Sequence, residues 1–402
     1  MNQFDSDFIR AKFFEKGYKE LPFGEKADIY VVNTCTVTKG ADRDSRKYIY
    51  KAKRLNPNAV VVATGCYAQV SPRELANLKE VDLVVGNTHK GEIVKLVEEY
   101  LERKNPGRVF VGEIFREGEV KNFAPVVSFE HTRPFLKVQE GCNSFCTFCV
   151  IPYARGKVRS VPLKDVVEEV KKLADLGYKE VVLTGTQLSQ YGWDFRDGTN
   201  LLRLLEELLK IEGIEYYRLS SMSVAEIDEP LMELITSSEK IAPHFHLSLQ
   251  SGSKRILELM RRNYTPEEYA EKVTRIVEKR PITAIGTDII VGFPTEGDKE
   301  FEETLEFVKK MPFAYVHIFP YSDRPFTKAS KMKPKVPPSV IKERLKILKK
   351  LDEEKRKTFR EKMRGKTLRA IVLGNGRALT ENYLTVDYKG GAKAGEVVKI
   401  SL

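Results

Sequence analysis

Hydrophobic and polar positions along this chain of 402 residues switch repeatedly between a strand-like and a helix-like spacing. In the first third, Asp5 to Glu15 is amphipathic and stops at Gly17, where glycine can cap a helix. Ala27 to Thr34 predicts a strand ending at Cys35, and Ala41 to Leu55 a polar helix. Ala59 to Thr64 predicts a second strand, ending at Gly65-Cys66, and Leu83 to Val85 a third, followed by a helix over Lys90 to Arg103. Ser71-Pro72-Arg73-Glu74 reads as a capping box with proline at the first helical position. Short apolar strands between helices predict an α/β fold with a parallel, doubly wound sheet. The chain opens on a helix where this alternation wants a strand, so a first strand is expected to be missing before Met1.

Asn105-Pro106-Gly107 and Glu117 to Pro125 read as linker with one short strand. Six strand-like segments follow: Pro134 to Gln139, Glu180 to Thr184, Tyr216 to Ser220, His244 to Leu249, Thr283 to Val291 and Tyr315 to Phe319. Helical patterns lie between them, including Leu163 to Leu176, Leu201 to Ile211 and Lys299 to Lys310, and Thr265-Pro266-Glu267-Glu268 is another capping box. Six strand–helix units are too few for an eight-unit barrel and predict a partial (β/α) barrel, open on one side. Met332 to Pro338 is a linker, and Ser339 to Met363 one long basic helix. From Gly365 the pattern turns β-rich, with strands at Thr367 to Leu373, Leu379 to Val386 and Glu396 to Ile400, enough for a small antiparallel, OB-like barrel. The predicted domains are 1–125, 126–362 and 363–402.

Composition adds a partner and a compartment. Lys plus Arg number 68 against 57 Asp plus Glu, a net charge of +11 that favours a polyanion such as RNA. No apolar run is long enough to span a bilayer, and the polar, acidic start is not a secretory signal, so no membrane partner is expected. Five cysteines, all readable as metal ligands, point to the reducing cytoplasm.

Three of these, Cys142, Cys146 and Cys149, share the run Gly-Cys-Asn-Ser-Phe-Cys-Thr-Phe-Cys just after a predicted strand. Three thiolates in one short loop can hold a 4Fe–4S cluster by three irons, leaving the fourth open beside a pocket. A zinc knuckle would add a fourth Cys or a nearby His, and the nearest histidine downstream is His244. A disulfide would leave one sulfur over. Cys35 and Cys66 both end predicted strands, at the sheet edge where open α/β sheets collect ligand sites.

The triplet resembles the C-x3-C-x2-C signature of radical S-adenosylmethionine (AdoMet) enzymes, with the aromatic Phe148 before the third cysteine. Nearly the whole chain is similar to the methylthiotransferase family within that class. The resemblance is carried by Val32-Asn33-Thr34-Cys35-Thr36-Val37, Ala63-Thr64-Gly65-Cys66-Tyr67-Ala68-Gln69, and the cysteine loop running into Ile151-Pro152-Tyr153-Ala154-Arg155-Gly156. Further on it is carried by Leu183-Thr184-Gly185, His246-Leu247-Ser248-Leu249-Gln250-Ser251-Gly252-Ser253 and Gly286-Thr287-Asp288-Ile289-Ile290-Val291-Gly292-Phe293-Pro294. Tyr153 to Gly156, Val316 to Ser322 and Thr380-Glu381-Asn382-Tyr383 look most like the branch acting on threonylcarbamoyladenosine in tRNA.

The resemblance implies a second 4Fe–4S cluster on the N-terminal domain, a radical AdoMet core and a C-terminal RNA-binding TRAM module. Cys142, Cys146 and Cys149 would hold the cluster whose free iron binds AdoMet, and no catalytic side chain beyond cluster ligands is implied. The modification would place a methylthio group on carbon 2 of the adenine beside the anticodon, so the partners would be a tRNA anticodon stem-loop, a sulfur donor and an electron donor such as flavodoxin or ferredoxin. An inert aromatic C–H bond needs such a radical cofactor. Family members carry three N-terminal cysteines, whereas this chain has Cys35 and Cys66. The third would fall just upstream of Met1, where the first strand is also expected to be missing. Either the chain begins late, or it is a two-cysteine variant with an incomplete second cluster site.

Other candidates are less marked. Tyr153, Arg155, Lys157 and Arg159 suit contact with tRNA by stacking and charge, or a solvated basic turn. Gln250 and Ser251 suit hydrogen bonds to AdoMet or substrate, or a cap; Arg262 suits the AdoMet carboxylate; Gly185 suits a close backbone approach to AdoMet. His244, His246 and His317 fall on predicted strands and read as packed core residues rather than ligands. Alternative functions are a methylthiotransferase acting on isopentenyl-adenosine tRNA or on a ribosomal protein, and an RNA-binding iron–sulfur protein that has lost sulfur insertion.

Overall fold

The computed structural model describes residues 2–102, 107–120 and 132–402, which form two compact units interleaved along the chain. The first unit comprises residues 1–128, 140–159 and 322–330. Its sheet runs β1 (Ile29–Thr34), β2 (Val60–Gly65), β3 (Leu83–Val85) and β4 (Val109–Phe110), all parallel and in chain order. Side chains alternate across the sheet and feed two cores. Val60, Val62, Leu83 and Val85 pack with Phe4, Phe8 and Ile9 of α1 (Asn2–Glu15) and with Ile93, Val94, Leu96 and Val97. Val61, Ala63 and Val84 pack with Ile49 and Ala52 of α2 (Lys39–Leu55), Tyr67 and Ala68 of α3 (Cys66–Val70) and Leu75 of α4 (Pro72–Ala76). Both faces are covered, which explains the unbroken apolar reading of β2.

Two local expectations change. The capping box at Ser71 does not form, because Ser71 also closes α3 and its side chain makes no cap hydrogen bond. The helix expected over Lys90 to Arg103 is a short turn, Lys90–Glu92, followed by α5 (Ile93–Leu101), and Arg103 lies outside the described residues. The linker reading placed one short strand loosely; β4 is that strand, and it pairs with β3. Residues 121–125 of the expected linker lie outside the described residues.

The second unit comprises residues 129–139, 160–321 and 331–402. It holds two parallel three-stranded sheets, β5 (Phe135–Lys137), β6 (Glu180–Thr184) and β7 (Tyr216–Leu219), then β8 (His244–His246), β9 (Ala284–Val291) and β10 (Phe313–Pro320). Parallel bridges Tyr217↔Ile241 and Met222↔Leu247 join the two into one series of six. β8 stops earlier than its apolar run, because the Leu249 N–H donates to the Thr287 hydroxyl (3.0 Å) instead of a backbone carbonyl. The capping box at Thr265 forms in full and opens the helix Pro266–Lys279.

The helix Pro338–Lys362 buries Leu348, Leu351 and Phe359, and its Asp352 accepts from the Val316 N–H of β10 at 2.7 Å. After it comes an antiparallel sheet of β11 (Thr367–Gly374), β12 (Arg377–Thr380), β13 (Thr385–Asp387) and β14 (Val397–Ser401), in the order β13-β12-β11-β14. The single strand expected over Leu379 to Val386 is broken at Tyr383, whose φ of 72° turns the chain. That turn places the Tyr383 ring on His244 at the start of β8, with centroids 4.1 Å apart.

Candidate active site

In the first unit the cysteine loop is set by close backbone approach. Gly141 has φ +78°, and a Cβ there would lie 1.8 Å from the Lys157 carbonyl oxygen, so only glycine fits. The Cys142 N–H donates to the Gly156 carbonyl at 3.1 Å, the Val158 N–H to Asn143 Oδ1 at 3.1 Å, and the Cys149 N–H to the Cys146 carbonyl at 3.0 Å. The loop leads into α6 (Ile151–Arg155), which ends at Gly156. None of the five cysteines is in a disulfide. Three sulfurs in one short loop, with no further Cys or nearby His in the sequence downstream, suit three irons of a cluster better than a four-ligand zinc knuckle.

Cys35 and Cys66 directly follow β1 and β2, whose last residues Thr34 and Gly65 pair in register. Burial pushes the Cys35 thiol above its ordinary pKa; a backbone hydrogen bond at Val37 opposes this and the neighbouring Cys66 adds to it. Cys66 is 3% exposed and lies 3.8 Å from the Asn87 side-chain nitrogen, which also donates to the Ala154 carbonyl at 2.8 Å. The Asn33 side chain donates to the Asn2 carbonyl (3.1 Å) and the Ser6 hydroxyl (3.0 Å), so the Asn2–Ser6 segment is held to this edge of the sheet.

Arg155 and Arg159 are not surface contacts. Arg155 is 3% exposed, and its guanidinium meets Asp5 at 2.9 Å, Glu140 at 2.7 Å and the Asn2 side chain at 2.9 Å. Burial alone would lower its pKa, but Cys66, Asp5 and Glu140 outweigh it and push the value well above the ordinary one. Lys90, also buried, shares Asp5 at 2.8 Å. Arg159 donates to the Arg155 carbonyl and, at 3.2 Å, to the Glu119 carbonyl. Both arginines therefore support the fold around the thiols, which corrects their expected place at a tRNA surface. Lys157 between them is exposed.

Tyr153 is half-buried, with Phe326 at 5.3 Å and Phe115 at 5.8 Å between ring centroids. Phe115 in turn stacks with Phe145 of the cysteine loop at 6.3 Å. Phe145 (φ 44°) and Phe326 (φ 65°) both sit in the left-handed region, which costs a non-glycine residue about 1–2 kcal/mol. Phe115, Phe145 and Phe326 were not foreseen; their strain and mutual proximity leave no mark on spacing. Phe148 is half-buried beside Cys149.

In the second unit, Gly185 follows β6, and a Cβ there would lie 2.7 Å from Gln139 Oε1. Its N–H donates to the Ser220 hydroxyl at 3.1 Å. Gln250 (φ 76°) pairs through its backbone with Asp288 and Ile290. The Ser251 hydroxyl lies 3.1 Å from the Thr304 hydroxyl and accepts from the Ser253 N–H at 3.2 Å, so it closes a local turn before the helix Lys254–Met260. Arg262 is partly exposed and lies against Tyr264 (2.9 Å) and the Ser248 carbonyl (3.3 Å), the same turn that carries Gln250. Glu226 accepts from the side chains of Gln187, Ser189 and Gln190.

Residues 136–308 match the radical SAM superfamily and residues 1–86 match the uncharacterized protein family UPF0004. The chain is 65% identical over 400 residues to the threonylcarbamoyladenosine tRNA methylthiotransferase MtaB of Aquifex aeolicus, covering 100% of this chain and 97% of that protein. It is 37% identical to the protein of the same name from Bacillus subtilis, covering 100% and 91%. It is 34% identical to the tRNA-2-methylthio-N(6)-dimethylallyladenosine synthase of Thermodesulfovibrio yellowstonii, covering 100% and 93%. Among solved structures, the radical S-adenosylmethionine methyltransferase TsrM from Kitasatospora setae, with cobalamin and a [4Fe-4S] cluster bound, aligns with a TM-score of 0.61 at 15% identity, over 81% of this chain and 73% of that one. That likeness shows a shared mixed α/β fold with parallel sheets. With the cysteine loop intact and a 65% identical relative matched from end to end, the chain belongs to the radical AdoMet methylthiotransferase family, in its MtaB-like branch.

Proposed function

We propose that this protein converts threonylcarbamoyladenosine beside the tRNA anticodon to its 2-methylthio derivative. The full-length 65% identity to a threonylcarbamoyladenosine tRNA methylthiotransferase carries this reading. Cys142, Cys146 and Cys149 are the residues to hold a 4Fe–4S cluster, and Cys35 and Cys66 belong to a second cluster site. The bound cluster and AdoMet supply the one-electron chemistry that an unactivated aromatic C–H bond requires.

The chain's own residues orient and enclose. Gly185, Gln250 and Arg262 of the second unit are assigned to AdoMet binding, as is Phe148 beside Cys149 in the first, and Ser251 fixes the turn that carries Gln250. Tyr153, Phe115 and Phe326 offer faces on which unpaired anticodon-loop bases stack, supported by the exposure of Phe115 (41%) and Phe326 (64%). The antiparallel sheet β11–β14 is read as the TRAM module, and the net charge of +11 suits the RNA backbone. Domain limits of 1–125, 126–362 and 363–402, an external sulfur donor, a flavodoxin- or ferredoxin-like electron donor and a cytoplasmic location complete the reading; among the described residues no helix is long and apolar enough to cross a membrane.

The test is nucleoside mass spectrometry of tRNA from a deletion strain complemented with this gene or with Cys149→Ala. The methylthio nucleoside should return with the first and not with the second. Its absence with both would sink the proposal.

A further inference from the structure

Three side chains in the second unit converge without any part in the reading above. His246 ends β8, Asp288 lies on β9 and His317 on β10. Asp288 pairs in register with His317, and His246 pairs with Gly286, two residues before Asp288. Because side chains alternate along strands, the three share one face. His246 Nε2 lies 3.0 Å from Asp288 Oδ2, and His317 Nδ1 lies 3.5 Å from Asp288 Oδ1. Among the described residues they form the one group of three or more His, Cys, Asp or Glu whose donor atoms all lie within 4.8 Å of one another.

We infer that His246, Asp288 and His317 form a binding site for a first-row divalent transition metal, of the two-imidazole, one-carboxylate type. Zinc with nitrogen and oxygen ligands at about 2.0–2.2 Å in a tetrahedral arrangement separates neighbouring donors by roughly 3.3 Å. The two nitrogen–oxygen separations, each to a different oxygen of Asp288, lie on either side of that value. Two imidazoles and a carboxylate suit zinc or iron(II) rather than magnesium or calcium, which take oxygen ligands.

The surroundings fit a metal centre. The Ser248 hydroxyl donates to Asp288 Oδ2 at 2.8 Å. His246 Nδ1 lies 3.3 Å from the Tyr315 hydroxyl, which reaches His244 Nε2 at 2.8 Å, so the ring of His246 is held from behind. The His317 side chain is 50% exposed and that of Asp288 21%, which leaves an approach for the ion and a water ligand. Metal binding at His246 Nε2 takes the neutral ring with its proton on Nδ1, which faces the Tyr315 hydroxyl. The histidines were expected to be packed core residues; His244 is one, whereas His246 and His317 meet an acid that spacing alone did not join to them.

The test uses anaerobically reconstituted, full-length protein, with its thiols committed to iron, incubated with zinc sulfate and desalted. Elemental analysis should find one zinc per chain beyond the iron, lost in Asp288→Asn and in His317→Ala. The exposed His317 makes the second variant the safer fold control, checked by its iron content. The zinc edge in X-ray absorption should show nitrogen and oxygen scatterers only. Equal zinc in wild type and His317→Ala, or sulfur scatterers near about 2.3 Å, would overturn the assignment. The measurement involves no RNA, so it stands or falls separately from the proposed tRNA reaction.

Discussion

Replacing Arg155 with methionine separates the internal role found here from the surface role its position in the chain suggests. Methionine keeps much of the volume and removes the charge. Asp5 is 0% and Glu140 6% exposed, so each anion depends on buried cations. Asp5 keeps Lys90 at 2.8 Å, and Glu140 keeps the more distant Arg159 at 3.8 Å. Breaking a buried ion pair from one side costs about 3–5 kcal/mol, and because Asp5 retains a partner the lower end applies, about 3 kcal/mol. With a urea slope of roughly 2 kcal/mol/M, the unfolding midpoint should fall by about 1.5 M. The double variant Arg155→Met, Glu140→Gln also removes the buried negative charge that faced Arg155 and should recover part of that loss. RNA affinity measured against salt should keep its slope, since a phosphate-binding arginine contributes about 0.7–0.9 to it and a buried one contributes nothing. A midpoint within about 0.2 M of wild type, or a slope lowered by nearly one unit with stability intact, would refute the reasoning.

Four further outcomes are expected. Gly141→Ala drives a Cβ into the Lys157 carbonyl oxygen, so anaerobic reconstitution should give less iron per chain and weaker charge-transfer absorption than wild type. Gly286→Val places a Cβ 2.1 Å from the Tyr315 ring and should lower the thermal midpoint by an overpacking cost of about 1–3 kcal/mol or more. Thr265→Ala removes one half of a complete capping box and should cost about 1 kcal/mol in urea unfolding. Phe115→Ala with Phe326→Ala should weaken binding of an anticodon stem-loop by fluorescence anisotropy, at about 1–3 kcal/mol for each stacked base lost; unchanged affinity would remove these rings from the RNA surface.

Much of the architecture was legible because buried parallel strands write themselves as continuous apolar runs. β3 and β6 fall where the pattern put them, and the six-strand series follows the predicted order. Errors came where one residue serves two elements or where a side chain replaces a ladder bond. Ser71 ends one helix as it begins another, Thr287 takes the Leu249 N–H, and Tyr383 turns what looked like one strand. The cysteine loop was legible through its spacing alone. Its supports were not: Asp5, Lys90, Glu140 and Arg155 are far apart in sequence, and a charge next to basic neighbours reads as surface until its buried partners are known. The same holds for Asp288, whose two histidines lie 42 residues before it and 29 after it along the chain.

The central claim is that Cys142, Cys146 and Cys149 present a cluster for AdoMet chemistry on modified tRNA. The most direct measurement incubates the reconstituted protein anaerobically with AdoMet, a reductant, sulfide and an anticodon stem-loop bearing threonylcarbamoyladenosine, then digests the RNA for mass spectrometry. The account predicts deoxyadenosine together with a nucleoside that has exchanged one hydrogen for a methylthio group, neither of them formed by Cys149→Ala. An unmodified nucleoside with no deoxyadenosine, or equal products from wild type and Cys149→Ala, would contradict it.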